Sequence, residues 1–309
     1  MLMSTSSVQK ISLPALDPVG LFAVVGGALA MGVSPIFVRF ASMSDVPAFA
    51  SAFWRVALAL PVLYAWALLE EKRAGKGSQP TFTRSAILAG FLFAGDLLLW
   101  HVAIMNTTIA NATFFGTTTP IWTVLVAGLI FKEKIAASAY WGIALCVAGG
   151  AALVGQSMEI NPAHVMGDLL GIGTAFFFGL YFFAVRGARL QAGAARVTFG
   201  LSLVTAPILG VAALLNGDQF LPSDWKGVTA LLAMALVSHA GGQGLLAIAL
   251  GRLPTVFTSL VIFIEAIGAA LIAWLVLGES LGWLQALGGV LILGGIWISR
   301  PREIKERAE

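Results

Sequence analysis

Residues 112–155, ATFFGTTTPIWTVLVAGLIFKEKIAASAYWGIALCVAGGAALVG, lie without a gap on residues 258–301, TSLVIFIEAIGAALIAWLVLGESLGWLQALGGVLILGGIWISRP, when shifted by 146 positions. Leu125, Ala127, Leu129, Glu133, Gly142, Leu145 and Gly149 then meet Leu271, Ala273, Leu275, Glu279, Gly288, Leu291 and Gly295. A shift of 147 relates two earlier stretches, setting Gly20, Gly26, Ala28, Gly32, Val38 and Arg39 on Gly167, Gly173, Ala175, Gly179, Val185 and Arg186. Both stretches are rich in Gly, Ala and Leu, so single matches carry little. A nearly constant offset that keeps glycines and a segment-end Glu in step indicates one unit written twice, and such repetition constrains a fold before anything else does. The first copy is read as residues 1–156 and the second as residues 157–309.

The 309 residues are 59% hydrophobic and only 11% charged, against roughly 25% charged in ordinary soluble domains. Apolar runs of about 20 residues, each enough to cross a ~30 Å hydrocarbon core as a helix, recur along the chain. The composition specifies an all-α integral membrane protein. Its 35 glycines mark places where helix backbones approach closely in lipid. The net charge of +3 is spread over loops and excludes a nucleic-acid surface. The single cysteine, Cys146, excludes an intrachain disulfide and offers no metal pattern. The opening 17 residues lack a small-residue cleavage site before the first apolar run, so the first helix is expected to stay on the chain.

Ten spans are expected, at about 18–39, 46–69, 84–105, 109–131, 137–156, 167–186, 196–216, 226–250, 254–277 and 282–299. With both termini in the cytoplasm, fifteen Lys and Arg residues fall on the inner side and only Arg39 and Lys226 on the outer; the positive-inside rule selects that orientation. Five spans per copy is an odd number, so the second copy enters the membrane from the opposite side. The architecture expected is ten transmembrane helices as two inverted five-helix repeats, an arrangement common among secondary transporters.

Leu277-Gly278-Glu279-Ser280 followed by Gly288-Gly289-Val290-Leu291-Ile292-Leu293-Gly294-Gly295 resembles the EamA repeat of the drug/metabolite transporter superfamily. Phe131-Lys132-Glu133-Lys134 is similar to it but has Lys where the family usually has Gly, and Phe53-Trp54-Arg55 resembles the family's intramembrane Arg in the second helix. The resemblance spans the whole chain. It implies ten helices, alternating access and export of small metabolites, amino acids or drugs across a bacterial inner membrane. Within the family, the chain resembles exporters of aromatic amino acids.

Ionisable groups deep in a membrane helix are costly and usually face a partner or a cavity. Arg55 lies roughly 13 Å into the second span at 1.5 Å per residue. It reads first as a structural cation binding carbonyls or snorkelling, and alternatively as an anchor for a substrate carboxylate. Asp96 and Trp100 sit at i and i+4 on one face of the third span; Asp96 suits a substrate ammonium, a proton or a neighbouring helix. His101 lies about 140° round that helix. In the eighth span His239, Gly242 and Gln243 make one polar stripe, which in lipid must face protein or water. Thr258 and Glu265 share half of the ninth. Aromatic stripes mixed with hydroxyls run through Asn111, Phe114, Phe115, Thr118 and Trp122, and through Thr174, Phe177, Phe178 and Tyr181. The substrate-binding set expected is therefore Asp96, Trp100, His101, Asn111, Thr118, Phe177, Tyr181, His239, Gln243, Thr258 and Glu265. Glu133 and Glu279 read as helix-end anchors.

No G-x-x-x-x-G-K-[ST] loop occurs, so ATP is not expected to drive the process directly. Three histidines scattered over positions 101, 164 and 239, without an acidic pair at metal spacing, argue against an enzyme, and no cofactor is expected. The partners expected are a small-molecule solute and the lipid bilayer, with monomer and homodimer both open.

Overall fold

The computed structural model describes residues 17–75, 77–155, 161–277 and 282–301, and their regular structure is entirely helical. Among the described residues, eight helices are long and apolar enough to cross a membrane: α1 Pro18–Met43, α2 Ala48–Arg73, α3 Arg84–Asn106, α4 Ala110–Leu129, α5 Ala137–Val154, α6 Pro162–Arg189, α7 Ala194–Leu215 and α8 Trp225–Leu250. The ninth, α9, comes in two pieces, Thr255–Val261 and Ile264–Leu277, and the tenth, α10, is Trp283–Ile298. Side chains at 272–277 and all of Glu279 lie outside the described residues.

Local chemistry sets where these helices begin and break. Asp17 caps α1 by accepting the Val19 N–H at 3.0 Å, with Pro18 at the first helical position. Thr83 does the same for α3 through Ala86, and Asp224 for α8 through Gly227. Proline removes an i→i−4 bond and crowds the preceding turn. Accordingly α1 breaks at Val33 ahead of Pro35, α2 at Leu58–Ala59 ahead of Pro61, and α4 at Thr118 ahead of Pro120. Pro207 is carried inside an unbroken α7, and α9 breaks at Ile262–Phe263 with no proline. α6, the repeat counterpart of α1, runs unbroken from Val165 to Arg189. In α8, Met234–Gln243 is π-helical.

The repeat leaves its mark in the packing of α5 on α10. A Cβ at Gly142 would stand 2.7 Å from the Gly295 carbonyl oxygen, and one at Gly149 would stand 2.6 Å from that of Gly288. The reverse contacts have the same lengths. Gly142 and Gly288 are repeat partners, as are Gly149 and Gly295, so each glycine touches the partner of the other. That crossed pattern places a two-fold axis between two antiparallel helices. α2 and α7 also run antiparallel. Ala50 N–H donates to Asp218 at 2.9 Å near one end, and Ala194 and Ala195 N–H donate to Glu70, both at 3.0 Å, near the other. Equivalent helices that pack antiparallel mean that the two five-helix halves are inverted.

The repeat-matched arginines confirm the inversion at single residues. Arg39 donates to the Thr107 carbonyl at 3.2 Å, tying the end of α1 to the loop before α4. Arg186 donates to Thr255 Oγ1 at 2.9 Å, tying the end of α6 to the start of α9. The second contact lies on the face rich in Lys and Arg, the first on the opposite face.

Candidate functional site

Close helix approach creates the site. A Cβ at Gly32 would fall 2.6 Å from the Glu265 carbonyl, and one at Gly27 would fall 3.0 Å from that of Gly242. These glycines seat α1 against α9 and α8. Met31 and Ser34 then share a cavity with Arg55 of α2, Asp96, Leu97 and Trp100 of α3, Thr113, Gly116 and Thr117 of α4, Thr174 and Phe178 of α6, Gln243 of α8 and Glu265 of α9. Its volume is about 40 Å³, room for a few waters and too little for an amino acid.

Arg55 is 4% exposed and stands over the Trp100 ring, its Cζ 5.4 Å from the centroid. That is cation–π distance. Neither Asp96 nor Glu265 forms a direct ion pair with Arg55 among the described residues, although both carboxyl groups share its cavity. Gln243 is fixed at both ends of its amide. Tyr181 donates its hydroxyl to Gln243 Oε1 at 3.1 Å, and Gln243 Nε2 approaches Met31 Sδ at 3.2 Å. Thr174 Oγ1 donates to the Asp96 carbonyl at 3.3 Å, joining α6 to α3 beside the acid.

Of the residues expected from sequence, Asp96, Trp100, Gln243 and Glu265 line the cavity. Tyr181 stands behind Gln243, stacked between Phe93 at 5.1 Å and Phe178 at 5.5 Å. The two histidines also sit behind the lining. His101 Nδ1 lies 2.9 Å from the Leu97 carbonyl; a carbonyl only accepts, so that nitrogen carries the proton. Ser202 donates its hydroxyl to the Thr198 carbonyl at 2.6 Å, so His239 Nε2, 2.8 Å away, must be the donor to Ser202. Each ring keeps one buried nitrogen without a partner, His101 Nε2 and His239 Nδ1.

The other expected residues are placed elsewhere. Asn111 donates to Asp168 at 3.0 Å, beside the Thr107 hydroxyl at 2.7 Å from the same oxygen, in a cluster on the face opposite the basic one. Thr118 caps the break in α4, donating to the Phe115 carbonyl at 2.6 Å, while neighbouring Thr117 lines the cavity. Phe177 lies over Gly95 of α3, and Phe178 takes the cavity position. Thr258 donates to the Pro254 carbonyl of its own turn at 3.0 Å. Ser34, Thr113 and Thr117 are lining residues that sequence reasoning did not single out; Ser34 stands alone, and Thr113 and Thr117 form an i,i+4 hydroxyl pair one position off the Asn111–Thr118 stripe read from the sequence. Arg55, read first as structural, stands in the wall. Glu133 is exposed at the end of α4.

The sequence model of the EamA-like transporter family matches this chain twice, over residues 18–155 and 165–300. The chain belongs to the EamA-like transporter family. Relatives within reach of this EamA-like chain include the threonine/homoserine exporter RhtA of Escherichia coli K12, 25% identical over 65% of this chain and 66% of its own length. The pseudopaline exporter CntI of Pseudomonas aeruginosa PAO1 is 24% identical over 89% of this chain and 93% of its own. A probable amino-acid metabolite efflux pump of Salmonella typhimurium is 27% identical over 58% and 62%. A crystal structure 18% identical in sequence superposes on 92% of this EamA-like chain and 99% of its own with a TM-score of 0.75, which attests the fold. The family and these relatives identify a multi-pass membrane transporter of small molecules.

Proposed function

We propose that this protein is a secondary carrier that exports amino acids with aromatic or bulky apolar side chains across the bacterial cytoplasmic membrane by alternating access. The observation that carries the reading is the make-up of the cavity. Two acids, Asp96 and Glu265, share it with Trp100, Phe178, Leu97 and Met31. Acids without an ion-pair partner suit an ammonium group, and the ring and aliphatic walls suit an apolar side chain. The exporter names of relatives on both sides of the amino-acid theme support the solute class. The inverted halves, with matched ties from Arg39 and Arg186 at opposite faces, support alternation around a central site. The distribution of Lys and Arg supports cytoplasmic termini.

The test is solute release from proteoliposomes preloaded with the twenty amino acids, followed by mass spectrometry with and without an imposed pH gradient. Selective loss of Phe, Trp, Tyr or Met is expected. Release of none of the twenty would refute the amino-acid assignment and favour another metabolite or a drug as the solute.

A further inference from the structure

Three buried polar atoms in the cavity wall have no hydrogen-bond partner among the described residues: Ser34 Oγ, Arg55 Nε and Thr113 Oγ1. They come from α1, α2 and α4, and their residues are 1%, 4% and 5% exposed. Buried donors are nearly always satisfied, so three orphans around one small space need an explanation. A structural arginine in lipid binds carbonyls or a carboxylate. Arg55 instead stands over the face of Trp100, with Asp96 and Glu265 in the same cavity but not in ion-pair contact, and its Nε is left without an acceptor among the described residues.

We propose that Ser34, Arg55 and Thr113 form a subsite for the substrate's carboxylate, in the same cavity as the acids Asp96 and Glu265. The chemistry is specific. A guanidinium presents parallel N–H groups that match two carboxylate oxygens. Two hydroxyls, each able to turn its hydrogen inward, add two further donors. A phosphate would meet the same donors, but its second charge would face Asp96 and Glu265 in a low-dielectric space. A singly charged carboxylate on a zwitterion balances both ends. This inference rests on the amino-acid reading for the zwitterion and on the orphan donors for the carboxylate.

The experiment separates the two. Purified protein in detergent is melted with L-phenylalanine, with 3-phenylpropionate, which keeps only the carboxylate, and with 2-phenylethylamine, which keeps only the amine. Wild type is expected to be stabilised by all three. Arg55→Gln should weaken apparent affinity for both carboxylates by more than about tenfold and for the amine by less than about twofold, the loss expected for a hydrogen bond to a charged group. Thr113→Val and Ser34→Ala keep shape and remove one hydroxyl each, so they carry the test even if Arg55→Gln fails to fold. Each should weaken the carboxylates selectively by about fivefold. Asp96→Asn should do the reverse, sparing 3-phenylpropionate. Wild type that ignores both carboxylates, or hydroxyl variants that weaken carboxylate and amine alike, would overturn the subsite. Failure of the transport reading looks different: no amino acid leaves the vesicles, yet protection by 3-phenylpropionate still depends on Arg55 and Thr113.

Discussion

Adjacent glycines in α10 should respond in opposite directions to the same substitution. A Cβ at Gly295 would lie 2.7 Å from both Cys146 Sγ and the Gly142 carbonyl, whereas one at Gly294 would meet nothing within 4 Å. Ordinary contact begins near 3.4 Å, so Gly295→Ala must part α5 and α10 by 3.4 − 2.7, or 0.7 Å. A gap of that size forfeits a quarter to a half of the dispersion well along the seam, and overpacking of this kind costs about 1–3 kcal/mol. Both variants share the intrinsic gain from Gly to Ala in a helix, about 0.8–1 kcal/mol. The difference between them therefore isolates the seam: Gly294→Ala should be neutral or stabilised, and Gly295→Ala should fall below it by about 1–3 kcal/mol. In thermal unfolding of the purified protein that amounts to a separation of several degrees, at roughly 2–4 °C per kcal/mol. Gly149→Ala, the repeat partner of Gly295, would place its Cβ 2.6 Å from the Gly288 carbonyl and should lose a similar amount. Equal melting points for Gly294→Ala and Gly295→Ala would refute the close seam and the two-fold axis drawn through it.

Tyr181→Phe removes the hydroxyl that fixes Gln243; stability should drop by about 1 kcal/mol and KM should rise several-fold in counterflow, and unchanged values would end the positioning role. Arg39→Gln and Arg186→Gln should bias the carrier in opposite senses. With Ser34→Cys as reporter, an impermeant maleimide should label the first variant faster from the far face and the second faster from the basic face, and labelling changes of the same sense would refute matched ties. Asp224 sits outside the membrane helices, and the Gly227 N–H and the Ser44 hydroxyl hold its carboxyl below the usual range. Its contribution is then complete above the ordinary carboxylate pKa and fades as pH falls through the lowered value. Asp224→Asn should lower the melting point at neutral pH and flatten its acid-side decline.

The fold was legible because lipid imposes few rules and the chain obeys them twice. Apolar length gave the helices, the offset gave the repeat, and five spans per copy, an odd number, gave the inversion that the crossed Gly142–Gly295 and Gly149–Gly288 contacts display. The lining of the candidate cavity was legible where charge or i,i+4 spacing marked it, as with Asp96, Trp100, Gln243 and Glu265. It was not legible where one residue of helical phase decides. The break at Thr118 hands the wall to Thr117, and in the Phe176–Phe178 run a 100° turn separates the ring on Gly95 from the ring in the cavity. His101 and His239 sit behind the cavity lining. Polarity in an apolar helix signals a need for a partner, and a backbone carbonyl and Ser202 each engage one ring nitrogen there, leaving the other nitrogen without one among the described residues. What sets Ser34 and Thr113 apart is the hydrogen bonds they lack among the described residues, which only coordinates reveal.

α1 is interrupted at Val33, ahead of Pro35, while α6 passes unbroken through the matching positions, Leu180 and Phe182. A carrier without an energy source cannot rectify flow, because microscopic reversibility ties the ratio of Vmax to KM on one side to that on the other. The individual constants remain free. In the alternating cycle proposed above, a joint in one half and a continuous rod in the other would make opening toward the two compartments unequal in barrier and in resting population. The chain's two-fold order is therefore broken where it governs kinetics. The signature is a pair of Michaelis constants that differ between the faces of the membrane while their Vmax/KM ratios coincide.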